Sequence, residues 1–144
     1  MKWSSLMVMA AVAALLLAGA GPGQAADAAL MGTYWRAMEV DGKPVTPLPE
    51  KREAHLVLTS EGKRASGSTG CNRFTGTFEQ TGDSFKFSDK MAVTKMACPP
   101  PINALEMAFL QALRATAAVQ VSGNTLTLKD ASGKALMSLE ACPR

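Results

Sequence analysis

At 144 residues the chain is long enough for one hydrophobic core and too short for two. Its 15 basic and 12 acidic residues give a formal net charge of only +3, too even a balance for the basic footprint of a nucleic-acid partner. Lys51-Arg52 and Lys63-Arg64 stand apart, each beside a glutamate, and no aromatic residues interleave with them to stack bases.

The N-terminus carries one positive charge at Lys2, an unbroken apolar run from Leu6 to Ala18, and a helix-ending Gly21-Pro22-Gly23. Gly23-Gln24-Ala25 follows with small residues where a signal peptidase reads them, so residues 1–25 are expected to be a signal peptide cleaved after Ala25 or Ala26. The apolar run is shorter than the roughly 20 residues a spanning helix needs. Ala20 stands where a lipid-attachment motif would require cysteine. The expectation is a single domain over 26–144, periplasmic or secreted, with no membrane span after cleavage.

Thr33 to Val40 is rich in β-prone residues and stops at Asp41-Gly42, a tight-turn dipeptide. Pro44, Pro47 and Pro49 then predict a loop to Glu50. Ala54 to Thr59 resumes the strand pattern, and Arg64 to Gly67 returns antiparallel to it. Phe74 to Glu79 and Ser84 to Phe87 alternate around Thr81-Gly82-Asp83, which reads as a hairpin with four phenylalanines facing one core. Met91 to Met96 predicts a further short strand.

From Ile102 the period changes to nearly four, with Ile102, Leu105, Phe109 and Leu113 on one stripe and Glu106 and Gln111 assigned away from it. Prolines just ahead suit a first helical turn. Strand pattern returns at Val119 to Val121, at Leu126 and Leu128, and over Ala135 to Glu140. The fold class this predicts is α+β: an antiparallel, strongly curved, barrel-like sheet of seven or eight short strands packed on one α-helix.

Three cysteines in an exported chain predict a disulfide and one thiol left over. Cys71 and Cys98 lie inside the domain, whereas Cys142 sits near a chain end, where ordering a partner gains little. The expected bond is Cys71–Cys98, closing a loop of about 28 residues worth roughly 3–4 kcal/mol. Cys142 is expected to stay free or to link two chains. Gly70 and Asn72 tolerate positive φ and allow a sharp bend presenting Cys71.

The sharper chemical readings are short of residues. A nucleophilic cysteine needs a base, and His55 is the sole histidine. No G-x-S-x-G, phosphate loop or dinucleotide fingerprint occurs. Met91, Met96 and Cys98 are soft ligands of the kind copper(I) takes, but core methionines beside a structural cysteine are the expected reading. No catalytic residue, metal or cofactor is therefore assigned.

Gly70-Cys71-Asn72-Arg73-Phe74-Thr75-Gly76, followed by Ala92-Val93-Thr94-Lys95-Met96-Ala97-Cys98, resembles the paired motif of the META domain family, which includes the heat-shock protein HslJ. Trp35 with Asp41-Gly42-Lys43-Pro44-Val45 resembles that family's opening strand and turn, and Asn124 to Leu128 its late hairpin. Lys95 stands where arginine is commoner. The resemblance implies a barrel-like sheet around a helix and no reaction, and it associates the chain with envelope stress and antibiotic tolerance. The function expected is non-catalytic binding of an envelope protein or small apolar ligand, with Asn72 and Arg73 as a candidate contact surface. The alternative is a small periplasmic inhibitor of a protease or lysozyme-type hydrolase.

Overall fold

A computed structural model describes residues 26–47 and 53–142. The expected signal peptide at 1–25 and the end of the expected proline loop, from residue 48 on, lie outside the described residues. Among the described residues ten strands and one α-helix follow in chain order, with a short 3-10 turn at Glu61–Lys63. They are β1 (Tyr34–Val40), β2 (Lys43–Pro44), β3 (His55–Thr59), β4 (Arg64–Ser68), β5 (Arg73–Thr81), β6 (Ser84–Phe87) and β7 (Ala92–Val93), then α1 (Pro100–Ala115), β8 (Ala118–Ser122), β9 (Thr125–Lys129) and β10 (Ala135–Cys142).

Antiparallel pairing runs β1-β3-β4-β5-β6-β8-β9-β10 and returns from β10 to β1, closing an eight-stranded barrel. Strand β2 pairs with β1, and β7 pairs with β5. Closure removes sheet edges, which small β domains otherwise have to protect. The narrowest seam joins β6 to β8 through the pair Ser84 and Ala118.

Turn chemistry sets the registers. Asp41 and Gly42 both take positive φ, 51° and 73°, the backbone of a turn whose twist matches a hairpin. Pro44, expected in a loop, instead lies opposite Glu39 in β2; it needs no donor there, and the bond that continues the pairing is Val45 N–H to Met38 O at 2.9 Å. The register shifts between Ala37 and Glu39, leaving Met38 as a bulged residue. The bulge moves the inward positions from Trp35 and Ala37 to Val40, a phase change that simple alternation does not reveal.

Inward-facing residues of every barrel strand make one core, dominated by Trp35, Leu56, Leu58, Phe74, Phe78, Phe85, Phe87, Leu126, Leu128 and Leu139. The rings of Phe78 and Phe85 stack at 4.7 Å, and Phe85 meets Phe87 edge-on at 4.9 Å. Helix α1 starts at Pro100, two residues earlier than expected, because Pro99 O accepts from both Ile102 N and Asn103 N at 3.0 Å. It packs on β1, β6, β9 and β10. Phe109, fully buried, sits 5.5 Å from the ring of Phe74. No helix among the described residues is long and apolar enough to cross a membrane.

Candidate functional site

The Gly70-Cys71-Asn72-Arg73 segment lies at the β4–β5 turn, facing the first turns of α1. Cys71 and Cys98 form a disulfide with Cα atoms 6.0 Å apart, tying this turn to the approach of the helix. Gly70 takes φ 95° there, a conformation that costs a residue with a Cβ. Thr69 is fully buried, and its Oγ1 accepts from the amides of Cys71 at 3.2 Å and Asn72 at 2.9 Å.

Asn72 is 3% exposed, so it forms no contact surface; this corrects the expectation from sequence. Its Oδ1 accepts from Thr94 Oγ1 at 2.9 Å and Met96 N at 2.6 Å, while Nδ2 donates to Glu106 Oε1 at 2.9 Å and Met96 O at 3.3 Å. Both donors and both acceptor positions of the amide are thereby used. The neighbours also fix its orientation, since a main-chain N–H can only donate and a carboxylate here accepts.

Glu106 is the residue that sequence reasoning misplaced. It accepts from Asn72 Nδ2 and from Thr69 Oγ1 at 3.0 Å, instead of facing away from the barrel. The signal was present: positions 102, 106, 109 and 113 recur at steps of four, three and four, so Glu106 falls within the apolar stripe. An acid interrupting a buried stripe calls for a buried donor. Asn72 is that donor.

The strongest chemical alternatives lose their groups to this scaffold. Cys71 and Cys98 are bonded to each other, which takes Cys98 out of the copper(I) set and Cys71 out of a Cys–His pair, leaving Cys142 as the free thiol. Met91 packs over Gly76, where an added Cβ would lie 3.1 Å from its sulfur, and Met96 is 54% exposed. Among the described residues no three His, Cys, Asp or Glu side chains gather as a metal site. Cys142 is a free, half-buried thiol; it closes β10 opposite Tyr34 rather than lying on a loose end.

Arg73, next in sequence, does the opposite of Asn72. Strand alternation turns its side chain to the outer face, where it has no ion pair among the described residues. Its main chain is fixed by Thr94, through Arg73 N to Thr94 Oγ1 and Thr94 N to Arg73 O, both at 3.0 Å. Beside it runs a trough of about 640 Å³ across the outer face of β3, β4, β5 and β7. Ser66, Thr75 and Ala92 form one row of short side chains across it, Gly67, Phe74 and Val93 the next, and His55 and Arg73, both opposite Ser68, stand with Thr94 at the same end. Gly67 admits no side chain, because a Cβ there would lie 2.1 Å from His55 O.

His55 stacks on Tyr34 with ring centroids 4.3 Å apart, and its Nδ1 lies 2.9 Å from Glu53 O. A carbonyl oxygen only accepts, so Nδ1 carries a proton. On the far side of His55 a second depression of about 600 Å³ reaches Tyr34, Asn124 and Cys142. A smaller cleft of about 320 Å³, lined by Val45, Pro101, Ile102, Leu105 and Ala108, separates α1 from the β1–β2 turn.

The META domain family's sequence model matches residues 28–142, which takes in the hub formed by the disulfide, Asn72 and Glu106, the trough and every strand described above. The chain belongs to the META domain family. One NMR structure is similar at 28% identity with a TM-score of 0.58, over 75% of this chain and 87% of its own. Another, of a protein from Burkholderia xenovorans, is similar at 26% identity with a TM-score of 0.57, over 85% and 97%. No curated protein gives a significant match. The META domain family is not a known enzyme family, in keeping with a hub whose cysteines and amide are all used for structure in this META domain.

Proposed function

We propose that this META domain is an exported, non-catalytic binding module of the cell envelope, serving stress or antibiotic-tolerance homeostasis, and that its partner meets the outer trough beside Arg73. One observation carries the reading: next to a turn whose Gly70, Cys71 and Asn72 amides and Asn72 side chain are bonded internally, a guanidinium stands on a concave surface that carries the Ser66 and Thr75 hydroxyls, without a carboxylate partner among the described residues. Charged groups left free in concavities are where a fold spends affinity on something else. Export is supported by the apolar run and small-residue break at the N-terminus.

A small apolar ligand is the second reading, favoured by the cleft at Leu105 and Ala108. Its volume, about 320 Å³, is near the lower limit of ligand sites.

Photo-crosslinking in cells separates the two, with the reactive group at Thr75 on the trough floor or at Ala104 beside the cleft. Capture through Thr75 alone is expected. Capture through Ala104 alone would replace the trough by the cleft, and a protease or lysozyme as the main product would convert the reading to that of a hydrolase inhibitor.

A further inference from the structure

Resting on the trough as the binding face, we infer that its ligand is an acidic saccharide, a sugar chain carrying carboxylates, with Arg73 as the anchoring cation. Charge selects the sign: Arg73 is the one formally charged residue lining the trough, and no acidic residue lines it. A planar guanidinium meets a carboxylate through two parallel hydrogen bonds. A phosphate monoester, with nearly twice the charge, would call for a second cation that the lining lacks.

The floor selects the rest of the molecule. Ser66 and Thr75 are directly opposed on β4 and β5, two hydroxyls that each donate and accept, as sugar hydroxyls do. Beneath the trough β4 is paired with β3 and β5, and β5 with β4 and β7. An extended peptide lying there would find only the two-residue outer edge of β7 to join, too short for the strand pairing that usually supplies peptide affinity. Recognition has to come through side chains, which suits a polyhydroxylated ligand. The Tyr34–His55 stack continues the surface into the second depression, giving room for more than one sugar ring.

The test is an NMR titration of the purified protein with a tetramer of galacturonic acid, beside a neutral galactose tetramer and an acidic tetrapeptide. The uronate should shift the amides of Ser66, Gly67, Arg73, Thr75 and Thr94, and Arg73→Gln should weaken it about tenfold, or about 1.4 kcal/mol. Thr75→Val should weaken it less, with the spectrum otherwise that of the folded protein. Equal binding of the neutral sugar overturns the role of Arg73, and tighter binding of the peptide overturns the saccharide. Capture of a partner through Thr75, with no uronate shifts up to millimolar concentration, overturns the ligand class alone. Failure of both measurements removes the trough as the binding face.

Discussion

Asn72 and Arg73 are adjacent in the chain and opposite in physical situation. The amide of Asn72 is buried and bonded on all sides, to Thr94, Met96 and Glu106; the guanidinium of Arg73 is exposed beside a trough and has no ion pair among the described residues. Strand geometry separates them, because successive side chains point to opposite faces. A motif that looks like one cluster in sequence is thus two devices: an inner clamp joining turn to helix, and an outer group available to a partner. Substitutions along the motif should divide by face rather than by distance from the disulfide.

Removing the clamp's covalent half should have the largest effect. Replacing Cys71 and Cys98 together by serine releases a closure spanning 27 positions, at a cost of about 3–4 kcal/mol by loop entropy. Denaturant unfolding of the oxidised protein and the double variant measures it. Asn72→Ala comes next, at about 2–3 kcal/mol, because it orphans the Met96 amide and strips the Glu106 carboxylate of a donor. If Asn72→Ala unfolds at the same denaturant concentration as the unaltered protein, the clamp is not holding the helix.

Much of the barrel is legible in sequence because its signals are local. Phe74 and Phe78 alternate, Asp41-Gly42 demands positive φ, and Pro99 to Pro101 announce a helix start. What escapes is non-local. The bulge at Met38 is defined by the partner strand β10, and closure of β10 on β1 joins distant segments, Tyr34 pairing with Cys142. The site divides in the same way. The pairing of Cys71 with Cys98 follows from position, whereas the burial of Asn72 depends on Glu106, 34 residues away. Adding Asn72 to a contact surface and turning Glu106 to solvent both miss the same contact, since each is the other's partner.

Glu106 gives a smaller and more specific effect. Glu106→Ala should cost about 1 kcal/mol, the loss of hydrogen bonds partly offset by removing a half-buried charge that has no cation beside it among the described residues. Glu106→Gln keeps an acceptor and should recover part of that loss. The double variant Asn72→Ala/Glu106→Ala is the sharper measurement: residues in one hydrogen-bond network couple by about 0.5–3 kcal/mol. Additive losses within error would show that the two side chains do not meet.

Arg73→Gln should have the smallest effect on stability, and that smallness is the content of the prediction. The structural duties of Arg73 are performed by its main chain, whose N–H reaches Thr94 Oγ1 and whose carbonyl receives the Thr94 amide. Glutamine at this position keeps both bonds and remains on the outer face, so the midpoint of unfolding should move by no more than about 0.5 kcal/mol, the usual range for surface changes. The same substitution should weaken a carboxylate ligand about tenfold, because the lining offers no other formal positive charge to replace it. Stability and affinity are thus expected to separate cleanly at position 73, and to fall together at position 72, where collapse of the turn would carry the trough floor with it. A loss of stability at Arg73→Gln comparable to that at Asn72→Ala would mean that the guanidinium belongs to the scaffold, and the division of the motif into an inner clamp and an outer binding group would fail.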